Sequence, residues 1–176
     1  MRKFAALSLF LVLAAVGATA GTNEFVKGAF YLTPQVGLYS WGGSIPFGAA
    51  GEFALTPNIG LGGSVMVHFW SEDYWSQSIL SFSAEVLYHF TGLKAEKFDL
   101  FAGGGLGYSV YSWKWKSGFE DWIEGSSGAS GLYLNPILGA RYWFSPKLAV
   151  SLRLISSLLG SWTGFGGQLG LTFRAK

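Results

Sequence analysis

Apolar and non-apolar residues alternate along most of this chain. From Ile59 to Phe69, one parity holds Ile59, Leu61, Val65, Val67 and Phe69, and the other holds Gly60, Gly62, Ser64, Met66 and His68. Leu80, Phe82, Ala84, Val86, Tyr88 and Phe90 likewise alternate with Ser81, Ser83, Glu85, Leu87 and His89. Leu148, Val150, Leu152 and Leu154 alternate with Ala149, Ser151, Arg153 and Ile155. Successive side chains of a strand point to opposite faces, so this period of two predicts strands. Eight segments carry it, at roughly 29–40, 47–55, 59–69, 78–90, 99–112, 130–144, 148–158 and 164–174. Turn-forming clusters separate them: Trp41-Gly42-Gly43-Ser44, Thr56-Pro57-Asn58, Ser145-Pro146-Lys147 and Gly160-Ser161. Most segments reach the 9–11 residues or so that a tilted strand needs to cross a bilayer. The even connections include two tight turns, at 56–58 and 145–147. The odd ones include an eight-residue loop (70–77) and a long one (about 113–129). Short turns on one side and longer loops on the other fit an up-and-down membrane barrel.

One stretch invites a different reading. FAGGGLGYSVYSW, Phe101 to Trp113, resembles a phosphate-binding loop at first sight. It contains no G-x-G-x-x-G, and no Gly-Lys-Ser/Thr follows it, so the nucleotide-binding motifs do not fit. Period two does fit. Leu100, Ala102, Leu106, Tyr108 and Val110 take one face, and Gly103, Gly105, Gly107 and Ser109 take the other. The glycines then leave room inside a barrel for larger side chains from other strands.

Composition decides which face meets which solvent. Only 12% of the 176 residues are charged, against about 25% in ordinary globular chains. The strand faces hold few charges, mainly Glu52, Glu85, Arg141 and Arg153; most of the others fall in connections. A soluble barrel would line its polar face with lysine and glutamate. Here the small polar face is expected to be enclosed and the apolar face to meet lipid. Seven of the eight tryptophans (Trp41, Trp70, Trp75, Trp113, Trp115, Trp122 and Trp162) fall near the long-loop side. Trp143 falls near the other end with Phe90, Phe98, Tyr142 and Phe144. Two aromatic girdles are expected from this distribution.

The N-terminus reads as a secretory signal peptide over residues 1–20. Arg2 and Lys3 precede an apolar run, and Ala18-Thr19-Ala20 supplies a small-x-small cleavage site. The barrel domain is then 21–176. Cleavage would remove two of 12 basic residues and none of 10 acidic ones, leaving a balance of 10 − 10 = 0. That gives no electrostatic basis for nucleic-acid binding. Cysteine is absent from the sequence, which excludes disulfides and thiolate metal sites. After residue 20 no run of about 18 apolar residues occurs to make a membrane helix.

Several stretches resemble the eight-stranded outer-membrane β-barrel family that includes the OmpA transmembrane domain, OmpX and the Opa-type surface antigens. They are Gly48-x-x-x-Glu52-Phe53-x-Leu55-Thr56-Pro57-Asn58, the Gly-Ala-Arg-Tyr start at Gly139, and the final strand Gln168-Leu169-Gly170-Leu171-Thr172-Phe173. The resemblance covers Phe30 to Arg174. It implies an all-β, eight-stranded antiparallel up-and-down transmembrane barrel in a bacterial outer membrane. The implied partners are outer-membrane lipid, lipopolysaccharide and the barrel-assembly machinery. Members of that family typically end on an aromatic residue read during assembly, whereas here Arg174-Ala175-Lys176 follow Phe173.

Three constellations carry candidate chemistry. Glu52, Glu85, Arg141 and Arg153 form an expected lumen ion-pair cluster, because lone buried charges are very costly. Such a cluster would plug the barrel or act as a gate. His68 lies near Ser71, Glu72 and Asp73, a loose match to a lipid-modifying hydrolase site; His89 lies near the other end, too far away to share a metal. The third is the stretch from Trp113 to Gly128, SWKWKSGFEDWIEGSSG with its preceding Ser112. Its residues Trp113, Lys114, Trp115, Lys116, Glu120, Asp121 and Trp122 are candidate contacts for an extracellular ligand through the loop 113–129. It also reads as a hairpin with opposite charges facing across it. The sequence thus favours a non-enzymatic surface or structural protein with interacting loops and no catalytic residue, cofactor or metal. A narrow or gated channel and a lipid-modifying enzyme are the alternatives.

Overall fold

Eight strands pair with their sequence neighbours, and the last closes on the first. They are β1 (Phe30–Tyr39), β2 (Phe47–Ala54), β3 (Ile59–Ser71), β4 (Trp75–His89), β5 (Phe98–Trp115), β6 (Ser130–Ser145), β7 (Leu148–Ser157) and β8 (Gly164–Ala175). The order β1-β2-β3-β4-β5-β6-β7-β8 forms a closed, all-antiparallel barrel. The structure, a computed structural model, describes residues 25–39, 45–73, 75–93, 97–115, 130–158 and 164–175. The expected signal peptide, the turns at 41–44 and 160–161, and the loop residues Lys116, Glu120, Asp121 and Trp122 lie outside these.

Closure explains how so apolar a chain keeps its backbone satisfied. Every strand has two partners, so no edge is left to be hydrated. The parity read from the sequence sets the two faces. Leu32, Val36, Phe53, Leu61, Val65, Phe82, Val86, Leu106, Leu138, Leu169 and Leu171 are exposed around the outside. Glu52, Glu85, Asp99, Asn135, Arg141, Arg153 and Gln168 are buried inside. A continuous apolar exterior of this extent is the surface of a protein immersed in lipid. Proline departs from the ladder at Pro34, where the β1–β8 register skips from Leu32↔Phe173 to Gln35↔Gly170. Pro34 has no N–H to give its neighbour. A bulge between Trp143 and Ser145 shifts the β6–β7 register.

Three expectations are corrected at the long-loop end. The eight-residue loop at 70–77 is shorter, because β3 and β4 continue pairing through Trp70↔Gln77 and Ser71↔Ser76. Trp113, Lys114 and Trp115 belong to β5 and pair with Gln77, Ser76 and Trp75 of β4. Among the described residues the β5–β6 ladder reaches Val110↔Ser130, and the described part of the 113–129 stretch pairs with β4. Trp70 and Trp75 occupy the inward-facing set, ring centroids 6.0 Å apart. At the other end, Trp143 is fully buried against Tyr31 and does not join the girdle. Its odd number gives it the inward parity of Asn135, Ile137 and Arg141. Phe90 and Phe144 do face outward.

Candidate functional site

The lumen is the only enclosed polar region among the described residues, and it is organised in layers. At the short-turn end, residues 25–29 fold beneath the barrel before β1 begins. Gly28, at φ +83, makes the turn, and its N–H donates to the Ala54 carbonyl at 2.8 Å. A residue with a Cβ adopts that conformation poorly. The turn carries Phe25 into the barrel mouth, where it packs with Tyr31, Trp143, Ala54 and Ala149. The Val26 N–H donates to the Tyr31 hydroxyl at 2.7 Å, which fixes the segment.

Directly above this apolar seal lies a charged quartet contributed by four strands. Glu52 comes from β2, His89 from the end of β4, Asp99 from the start of β5 and Arg141 from β6. The Arg141 guanidinium bonds Glu52 across the lumen and reaches Asp99 at 3.3 Å. His89 lies between the two carboxylates, with Nε2 2.6 Å from Glu52 and Nδ1 2.6 Å from Asp99. A carboxylate only accepts, so these bonds are all satisfied when both ring nitrogens donate. In that state two negative and two positive groups sum to zero, which is what a site out of contact with water requires. Aromatic faces complete the packing. Phe25 stacks on the His89 ring at 3.5 Å and 8°, and the Arg141 guanidinium lies 4.8 Å over Phe101 and 5.3 Å over Tyr31.

A second ion pair lies further into the barrel. Arg153 of β7 bonds Glu85 of β4. The other carboxylate oxygen of Glu85 accepts from Ser64 (2.8 Å) and Ser83 (2.7 Å). A small cavity separates the two charged groups, lined by Thr33, Glu52, Gly62, Glu85, Arg141 and Arg153. The Nε atoms of both arginines are buried without a partner among the described residues. Elsewhere the lumen is crossed by hydroxyl and amide contacts, including Thr33 with Thr172 (2.8 Å) and Ser81 with Ser109 (2.9 Å).

Glycines make this filling possible. A Cβ on Gly60 would collide with the Glu52 carboxylate, one on Gly107 with the Tyr133 ring, and one on Gly139 with the Phe101 ring. Gly107↔Tyr133 and Phe101↔Gly139 are direct cross-strand pairs. Each large inward side chain lies over the bare backbone of its neighbour. The sequence suggested room for larger side chains from other strands, and the ladder supplies the partners.

The structure brings the four expected lumen charges together as Glu52–Arg141 and Glu85–Arg153. Sequence reasoning missed Asp99 and gave His89 no role. Asp99 shares the parity of Phe101 and Gly103, and this was the available signal. For His89, only the spatial meeting of β2, β4 and β5 reveals its two carboxylates. The residues of the His68 constellation take different positions at the long-loop end. His68 is buried facing inward, Ser71 has the opposite parity at the exposed end of β3, and Glu72 accepts from the Trp70 indole at 2.6 Å.

A closed eight-stranded barrel with an ion-paired interior and an apolar exterior is the architecture of a small transmembrane β-barrel. Solved structures share it. The outer membrane protein OprG of Pseudomonas aeruginosa superposes with a TM-score of 0.63 at 12% identity, over 89% of this chain and 98% of that one. The N-terminal β-barrel domain of OprF from the same organism gives 0.59 at 14%, over 85% and 98%. Ail, the attachment invasion locus protein of Yersinia pestis, gives 0.55 at 13%, over 85% and 100%. No protein-family model and no curated protein matches the sequence.

Proposed function

We propose that this chain is a non-enzymatic structural or surface protein of the bacterial outer membrane, with a lumen that is a plug rather than a passage. The observation that carries this reading is the sealed short-turn mouth. Phe25 stacks beneath a charge-neutral quartet whose His89 is 0% exposed. An eight-stranded barrel has an interior just wide enough for side chains to fill, and here two ion pairs and several aromatics occupy it. Interaction with the outside then falls to the long-loop end, where β3, β4 and β5 pair with one another through Ser71↔Ser76 and Trp75↔Trp115. A fold relative that is an attachment invasion locus protein supports a role of this kind. Lipopolysaccharide, an extracellular ligand of the 113–129 stretch and the barrel-assembly machinery are the partners this reading calls for. The test is single-channel recording of the refolded protein in a planar bilayer. Silence at moderate voltage is expected, while regular open events of uniform conductance would refute the plug.

The cavity between the two ion pairs favours one second reading, a narrow conduit opened by their rearrangement. Both arginines line that cavity, so exchange of partners needs only side-chain rotation. Voltage-dependent events abolished by Arg153→Met would select this reading over the first.

A further inference from the structure

Among the described residues at the short-turn end, acids and lysines divide by location, and Arg174 of β8 is half-buried over the Trp143 ring. The acids Glu52 and Asp99 are buried in the lumen and matched there by Arg141 and His89. The lysines Lys27, Lys97 and Lys147 are exposed, and none forms an ion pair among the described residues. Glu24, Lys94, Glu96 and Lys176 lie outside the described residues and sum to zero by sequence. The lysines do not ring the barrel evenly. The Lys97 carbonyl accepts from Trp143 of β6 at 2.8 Å, and the Lys147 carbonyl from Arg174 of β8 at 3.0 Å. Lys27 precedes β1, whose Phe30 pairs with Ala175 of β8. They therefore lie along the side of the rim that runs from the start of β5 past β8 to β1, where the segment of Lys27 is also bonded to Ala54 of β2 through Gly28. The other described turns of this end, Thr56–Asn58 and Thr91–Leu93, carry no charge.

Aromatic side chains accompany this arc on the outer surface. Phe30, Phe144 and Phe173 face outward. Phe98 packs on Tyr142 (5.0 Å), which packs on Phe144 (5.3 Å). Aromatic collars settle at the level of lipid headgroups. The lysines, one to three residues beyond these aromatics, are thus held at phosphate depth.

We propose that this arc binds anionic phospholipid headgroups of the leaflet at the short-turn end. Lys27, Lys97 and Lys147 meet the phosphates while the collar holds the acyl-chain boundary in register. The inference rests on the membrane-barrel reading and adds a lipid preference to it. A basic residue near an anionic surface contributes about a fivefold gain in association.

The test uses the refolded protein in vesicles of phosphatidylcholine doped with spin-labelled phosphatidylglycerol or spin-labelled phosphatidylcholine, reading the motionally restricted fraction. A preference of about fivefold for phosphatidylglycerol is expected. It should vanish in the triple variant Lys27→Gln, Lys97→Gln, Lys147→Gln, checked for folding by its heat-dependent gel shift. It should also vanish at about 1 M salt, where screening acts within about 3 Å. The variant Glu72→Gln, Asp73→Asn should retain it. Equal association of the two lipids in the unaltered protein, or a preference that survives the triple substitution, would overturn the proposal. Insertion without preference sinks this inference alone, whereas failure to insert into any vesicle sinks the membrane reading beneath it.

Discussion

Arg141 is the residue on which the short-turn lumen depends. It holds Glu52 and Asp99 together and lies over two aromatic rings. Truncation would leave two buried carboxylates sharing a single histidine. Breaking a buried pair from one side costs about 3–5 kcal/mol, because the remaining charge keeps its desolvation penalty. Arg141→Ala should therefore lower the urea midpoint of the refolded barrel by a corresponding amount. A variant as stable as the parent would show that the quartet contributes nothing to the fold. Arg141 was legible in the sequence as a lone charge at an inward parity. Its partner Asp99 had the same signature but was overlooked, since a charge at a strand end is usually solvated. His89 was visible as a residue and invisible as a bridge, because neither of its carboxylates is near it in sequence.

The elements with most to add are the short segment before β1 and the long strands β3 to β5. Nothing in the period-two pattern marks residues 25–28 as structured, yet Phe25 is 4% exposed and forms the seal beneath His89. Phe25→Ala should open that seal. Large-to-small changes at buried phenylalanines cost about 3–5 kcal/mol, and the end position of Phe25 places it at the lower limit. A more specific readout is hydrogen exchange. The Gly28 amide, which donates to the Ala54 carbonyl, should exchange with deuterium faster in the Phe25→Ala protein than in the parent. Equal exchange in both would mean that Phe25 does not hold the segment in the mouth. The outer extension of β4 and β5 carries a loop-like sequence. Ser71, Glu72, Asp73 and Ser76 within 70–77 and the charges at 114 and 116 resemble loop chemistry. Antiparallel pairing with a neighbouring strand overrides that local signal.

For the molecule as a whole, the decisive feature is an apolar belt outside and charge within. This inverts the arrangement of a water-soluble barrel, and it predicts how substitutions should behave. Leu106 is 54% exposed at the middle of β5. On a soluble protein, arginine there would be tolerated. In a bilayer it should cost about 2–4 kcal/mol near the midplane. Leu106→Arg should thus sharply reduce stability in vesicles, measured by urea unfolding of the bilayer-inserted protein. A neutral effect would remove Leu106 from lipid.

The sequence by itself determined the strand number, the boundaries to within a few residues, the inward and outward parity and the closed topology. Each is a local consequence of period two, turn chemistry and scarce charge. It also marked Glu52, Glu85, Arg141 and Arg153 as residues needing partners. Only the tertiary structure decided who those partners are. It made His89 the bridge, drew Asp99 into the same group, buried Trp143 and folded Phe25 under the barrel. Parity says which face a side chain takes and is silent on how far it reaches across an enclosed space. That distance is set by register, barrel closure and the bare backbone of Gly60, Gly107 and Gly139, none of which is a property of a single segment.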